Sequence, residues 1–161
     1  MNLSANQIVA TTLKAARGAG FPMAQAECFA AATAQHLIQN RSEDDLSQAL
    51  IHTDDSPILS LPALLDEVCV SGSQTLQNPN LPSLVQSYVE TAAFEAQCIR
   101  AGQTILIKHL SDRPPLITPV ARVEMSPTLW AHLNKLAAKT YVPASEASRI
   151  SGAGAGLSDN D

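Results

Sequence analysis

Near its carboxyl end the chain alternates glycine with alanine, in the run GAGAG over residues 152–156. Glycine loses more backbone freedom on ordering than any other residue, so neither a regular helix nor a regular strand is favoured there. Polar and charged residues surround the run, in the sequence TYVPASEASRISGAGAGLSDND over residues 140–161. This segment is expected to be either a flexible tail or a backbone that closely approaches another group, and the packed core is expected upstream.

The composition is that of one globular domain built with few aromatic side chains. The 161 residues are 45% hydrophobic but only 4% aromatic, so the core must consist of Leu, Ile, Val and Ala. A chain of this length buries roughly two-thirds of its unfolded surface, which is enough for a self-sufficient core. Charged residues make up 16%, below the usual proportion of about a quarter. A weakly charged surface favours faces that are covered by a partner or by a second copy.

Charge and hydropathy argue against two classes of partner. The net charge is −5, and neither half of the chain contains the basic stripe typical of a nucleic-acid-binding protein. No apolar run approaches the ~20 residues that span a bilayer, and the first residues lack the pattern of a secretory signal. Nucleic acid and membrane are therefore not expected as partners.

The cysteines suggest a reducing compartment. Cys28, Cys69 and Cys98 are odd in number and scattered along the chain, which argues against a disulfide framework or a zinc site. We expect them to be reduced thiols in the core of a cytoplasmic protein.

The chain opens with signals for a helical hairpin. Ser4 and Gln7 have the spacing of a capping box, which predicts the start of a first helix. Gly18 or Gly20 is expected to end that helix in a left-handed turn, and Pro22 suits the first turn of a second helix. Two helices joined by so short a turn are expected to pack against each other.

Capping residues and periodicity predict the elements that follow. Ser42 is expected to cap a short helix with three acidic residues in its first turn, and Ser60 to cap a later one. Residues 71–82 are rich in Gly, Ser, Asn and Pro and are predicted to form a loop. The apolar spacing over residues 83–100 predicts one long helix.

Two β-rich stretches, residues 103–110 and 120–125, are predicted to pair as an antiparallel hairpin before a last helix that Ser126 opens. The sequence thus predicts a mainly α fold with a small antiparallel β-hairpin, in the α+β class. We expect one domain of residues 1–161, whose glycine-rich C-terminal arm, residues 140–161, packs on the body or on a partner.

Recognisable catalytic and metal motifs are missing from the sequence. The four histidines share no ligand spacing, and no metalloprotease, paired-cysteine or nucleophile-elbow motif occurs. His52 with Asp54 and Asp55 is the most metal-like local group, but a solvated loop explains it better. No metal and no other cofactor is predicted.

Glycine-containing segments offer two places for an anion. Residues 15–20 contain two glycines that turn chemistry explains, yet the helix beginning near Pro22 attracts anions and Arg17 adds a cation. The GAGAG run has neither the spacing of a dinucleotide-binding fingerprint nor the Lys-Ser/Thr of a phosphate loop. It still offers backbone N–H groups to an anion, beside Arg149, which suits bidentate binding of a carboxylate or phosphate.

The ends of the chain resemble a known family. The opening LKAARGAGFP and the closing TYVPASEASRISGAGAGLSDND are similar to an uncharacterised bacterial family of domain-of-unknown-function proteins, number three-seven-two-six in that series. The resemblance covers the start and the part from Trp130 onward. The family has no assigned reaction, so the resemblance implies no catalytic residues. It does imply that residues 140–161 are ordered or functional.

The first functional hypothesis is a site for a small anionic metabolite in the C-terminal segment. Polar and charged side chains are concentrated there around a permissive backbone, and Glu146 is the only candidate general acid or base, so enzymatic activity stays undecided. The predicted ligand-binding residues are Thr140, Tyr141, Ser145, Glu146, Ser148, Arg149, Gly152, Gly154, Gly156, Asp159, Asn160 and Asp161.

The alternative hypothesis is an accessory or regulatory subunit. Its C-terminal arm would then dock on a partner enzyme or on a second copy, forming a homo-oligomer. A third hypothesis treats the arm as a latch that only packs onto its own chain.

Overall fold

The computed structural model describes residues 1–51, 54–115 and 122–140. Helices dominate, and the strands form two small antiparallel sheets, so the predicted α+β class is confirmed. The elements in chain order are β1 (Asn2–Leu3), α1 (Ala5–Gly18), α2 (Met23–Ile38), α3 (Glu43–Ala49), α4 (Pro57–Ser71), β2 (Ser73–Gln77), α5 (Pro82–Glu90), β3 (Glu95–Ala101), β4 (Thr104–Ser111), β5 (Val123–Glu124), α6 (Pro127–Ala137) and a 3₁₀ turn (Ala138–Thr140).

Local signals specify the helical hairpin of α1 and α2 as predicted. The Ser4 hydroxyl accepts a hydrogen bond from the Gln7 amide at 3.2 Å, and the Gln7 side chain accepts one from the Ser4 amide at 2.9 Å. Gly20 has φ +105°, the left-handed conformation expected where α1 ends. Pro22 is the N-cap of α2 and not a residue of its first turn. The two helices pack closely against each other.

Small and aliphatic side chains fill a single core between the helical hairpin, α5, α6 and one face of the larger sheet. Alanines supply much of the interface between α1 and α2, and Ala15, Ala16 and Ala26 are fully buried. Two of the few aromatic residues, Phe21 and Phe29, are also fully buried. The core composition follows the sequence expectation.

The larger sheet corrects two predictions. Its strand order is β2-β4-β3, with both pairs antiparallel. The predicted loop over residues 71–82 contains β2, and the long helix predicted over residues 83–100 ends at Glu90, before β3. Pairing with the apolar strand β4 outweighs the weak local preference of β2 and β3, because strand preference depends mainly on cross-strand neighbours. Gly102, at φ +59°, forms the turn of the β3–β4 hairpin.

Strand β5 also pairs differently from the prediction. Residues 120–125 were expected to pair with residues 103–110, but within the described part β5 pairs with β1, with Leu3 opposite Val123. Both of these side chains are buried, so the small sheet closes the core beside the helical hairpin.

Helix α4 begins one turn earlier than predicted. Ser56, not Ser60, is its N-cap, and the Ser56 hydroxyl accepts a hydrogen bond from the Ile58 amide at 3.3 Å. Pro57 then occupies the first helical position, where its missing N–H is not needed. The caps predicted at Ser42 and Ser126 are confirmed.

The helices of the described ranges are all too short or too polar to cross a bilayer.

Candidate functional site

One of the predicted ligand-binding residues lies within the described chain, and the others, at positions 141–161, lie outside it. Thr140 is that residue. It ends the final 3₁₀ turn, and its hydroxyl donates a hydrogen bond to the Ala137 carbonyl at 2.7 Å. His52, the centre of the weakly metal-like group, also lies outside the described residues.

Thr140 lies in an open groove between α1, the start of α2 and the end of α6. We call it the basic groove. Its volume is about 400 Å³. Of the described residues that line it, three are cationic and none is acidic. The lining residues are Leu13, Lys14, Arg17, Gly18, Met23, Lys139 and Thr140.

Close packing of α1 against the end of α6 brings these cations together. Lys14 and Arg17 are three residues apart on α1 and therefore share a face. Gly18 makes the approach possible, because a Cβ built on it would lie 1.9 Å from the carbonyl oxygen of Leu136. Lys139 follows Leu136 by one turn, and this contact places it beside the end of α1.

The amino end of α2 adds a further positive contribution to the groove. Its N-cap is Pro22, no described side chain caps it, and its first turn contains no acidic residue. The first N–H groups of a helix have no partner within it, and the helix dipole makes this end partially positive. Arg17 is held nearby, because its guanidinium donates to the Phe21 carbonyl at 3.0 Å. The sequence indicated this combination of Arg17 with the start of the second helix as a place for an anion, beside the explanation by turn chemistry, but neither was included among the predicted ligand-binding residues.

A second group of polar residues resembles a catalytic pair but lies in the core. The Nδ1 atom of His36 is 2.9 Å from the Ser87 hydroxyl oxygen, and its Nε2 atom is 2.8 Å from the Ser42 carbonyl oxygen. Both His36 and Ser87 are completely buried, so a substrate has no route to them. We interpret the pair as a structural tie between α2, α5 and the start of α3.

Arg41 and Glu90 complete this buried network. The Arg41 guanidinium donates to both carboxylate oxygens of Glu90, at 2.9 and 2.5 Å, and to the Ser87 hydroxyl at 2.7 Å. Burial raises the pKa of Glu90, but hydrogen bonds from Arg41 and Gln35 outweigh it, so the net pKa is lowered. Burial lowers the pKa of His36, which favours the neutral imidazole at pH 7. Sequence reasoning missed the network because its members are far apart in the chain.

The sequence also missed a deeper cavity between α2, α4 and the α5–β3 connection. We call it the cysteine cleft, because Cys28 and Cys69 line it, and its volume is about 530 Å³. Both thiols are exposed and Cys98 is half-buried, so the prediction of core thiols was wrong. That prediction rested on the odd number and scattered positions of the cysteines, which do not show how exposed each thiol is.

Over the described ranges, no three His, Cys, Asp or Glu side chains are grouped so as to hold a metal ion. No family model, curated protein or solved structure matches this chain. The family resemblance of the two ends therefore stays a prediction.

Proposed function

We propose that this protein binds a small anionic metabolite, of the carboxylate or phosphate class, in the basic groove. One observation carries the proposal: Lys14, Arg17 and Lys139 line a single groove at the start of α2, and the described residues supply neither a side-chain cap for this helix nor a carboxylate in the groove lining. Cationic side chains and helix N–H groups are the two means by which proteins commonly hold such anions. The proposal concerns binding and assigns no reaction.

We further propose that the C-terminal segment contributes to the same site. Thr140 lines the groove at the point where this segment begins. Arg149 lies nine residues further on, and an extended chain of that length reaches roughly 30 Å, so its guanidinium is able to return to the groove. The glycines at 152, 154 and 156 would let backbone N–H groups face the anion.

Calorimetric titration with inorganic phosphate, citrate and succinate tests the proposal. We expect saturable heat that weakens as salt is raised from 20 to 150 mM, about the range over which surface charges become screened. Lys139→Gln should weaken binding about threefold, the effect typical of one exposed cation. Arg149→Gln should act in the same direction.

Lys135→Gln is the matched control. Like Lys139→Gln, it removes one positive charge near the end of the described chain, but Lys135 lies on α6 and does not line the groove. If no anion gives saturable heat, or if the Lys139 and Lys135 variants bind equally, the proposal is wrong. Light scattering on the same samples tests the accessory-subunit alternative, for which we expect a stable dimer or a co-purifying partner and no anion heat.

A further inference from the structure

The cysteine cleft is a separate cavity, and none of the described residues lines both it and the basic groove. Its volume of about 530 Å³ lies within the range of roughly 300–1,000 Å³ found for small-molecule sites. Many of the side chains that line it are small, and most of its surface is apolar. The alanines that line it are Ala24, Ala31, Ala63, Ala92 and Ala93.

Tyr88 gives this cleft a polar group without a partner. Its side chain lines the cleft and is only 2% exposed, yet its hydroxyl has no hydrogen-bond partner within the described part of the chain. Buried polar groups are nearly always paired, so an exception points to a missing partner. Burial raises the pKa of Tyr88, so the hydroxyl stays a neutral hydrogen-bond donor.

The charge around the cleft is negative. Asp66 is the one Asp or Glu among the described residues that line it, and none of them is Lys or Arg. Burial, followed by the charges of Asp66 and Glu27, raises the pKa of Cys28, so this thiol stays protonated. An anion would meet repulsion here and, among the described lining residues, no compensating cation, which distinguishes this cleft from the basic groove.

We propose that the cysteine cleft binds a small, largely apolar molecule that carries a hydrogen-bond acceptor and no negative charge. The apolar body contacts the alanines, and the acceptor receives the hydrogen bond of the Tyr88 hydroxyl. Because the Tyr88 hydroxyl is itself buried, the acceptor reaches it only when a neighbouring side chain of the cleft wall moves aside.

Three naphthalene probes of similar size test this proposal on the full chain by fluorescence and NMR titration. 2-Naphthylmethanol has the acceptor, 2-methylnaphthalene lacks it, and 2-naphthoate adds a negative charge. We expect the alcohol to bind more tightly than either of the others. Tyr88→Phe should weaken binding of the alcohol about tenfold, the usual effect of one hydrogen bond, and leave the binding of 2-methylnaphthalene unchanged.

Two alanine variants separate the cleft from non-specific binding. Ala63→Leu places a large side chain at the rim and should weaken all three probes, whereas Ala131→Leu on the exposed side of α6 should change none. Tighter binding of the naphthoate, or equal binding of the alcohol by wild type and Tyr88→Phe, would overturn the proposal.

The native cysteines provide a second readout that requires no substitution. Cys28 and Cys69 line the cleft and Cys98 does not. Saturating 2-naphthylmethanol should slow iodoacetamide modification of the first two thiols and leave the rate at Cys98 unchanged. If the probe leaves the modification rates of Cys28 and Cys69 unchanged, binding in this cleft is contradicted.

Discussion

Replacing Gly18 by alanine should destabilise the protein, although helix preference alone predicts the opposite. Alanine is favoured over glycine within a helix by about 1 kcal/mol. However, the added Cβ would lie 1.9 Å from the Leu136 carbonyl oxygen, whereas a carbon–oxygen contact needs about 3.3 Å. The end of α6 must therefore move by roughly 1.4 Å, since a backbone atom cannot rotate away as a side chain does.

The expected net effect of Gly18→Ala is a loss of about 2 kcal/mol, because overpacking of this severity outweighs the gain in helix preference. For a chain of 161 residues, this corresponds to a melting temperature lower by about 4–8 °C. Differential scanning calorimetry measures it, with the exposed Ala10→Gly in α1 as the control for helix preference alone. The same displacement moves Lys139 away from Arg17, so anion binding should weaken. An unchanged or higher melting temperature for Gly18→Ala would refute the close contact of α1 with α6.

Two further predictions concern the hydrogen-bond network of His36, Ser87, Arg41 and Glu90. The pKa of His36 is lowered in the folded protein. Below the ordinary histidine pKa of about 6.5, the unfolded chain therefore binds more protons than the folded one. The free energy of unfolding should accordingly decrease as the pH is lowered from 7 to 5. Urea denaturation at both values checks this, and equal stability would contradict a buried neutral imidazole. Arg41→Ala should lower the free energy of unfolding by about 2 kcal/mol, between the effects of exposed and buried ion pairs, because Glu90 is 28% exposed. Arg100→Ala, which removes an exposed arginine, is the control. An equal change in the free energy of unfolding for the two variants would contradict the network.

Local chemistry made much of the fold predictable. The caps at Ser4, Ser42 and Ser126 depend on a side chain and on amides two or three residues later, so the sequence displays them directly. The same holds for the left-handed turn at Gly20, since few residues other than glycine adopt that conformation. The order of the helices and the α+β class followed from these signals.

Pairing between distant segments was not predictable in the same way. The composition of β3 does not by itself favour a strand over a helix. The segment becomes a strand because β4 lies beside it, with Cys98 opposite Ile107. Strand β5 pairs with β1 because Leu3 and Val123 both close the core. Such choices depend on cross-strand neighbours that a single local pattern does not contain.

The candidate sites show the same difference between local signals and contacts of distant segments. Arg17 and the start of α2 are neighbours in sequence and were identified together, whereas Lys139 joins them only through the α1–α6 contact at Gly18. The cysteine cleft combines three separate segments. Its thiols were assigned to the core from the number and spacing of the cysteines, which do not show which residues border a cavity. The Tyr88 hydroxyl, which has no partner among the described residues, is recognised only from the three-dimensional structure.

Amide chemical-shift mapping with inorganic phosphate tests the central claim, anion binding in the basic groove, most directly. A ¹⁵N-labelled full chain is titrated at pH 7 and low salt. We expect saturable shifts concentrated in the first turn of α2, at Met23 and Ala24, and at Lys139 and Thr140. Shifts that never saturate, or that appear equally around the distant cation Lys108 on β4, would contradict the claim.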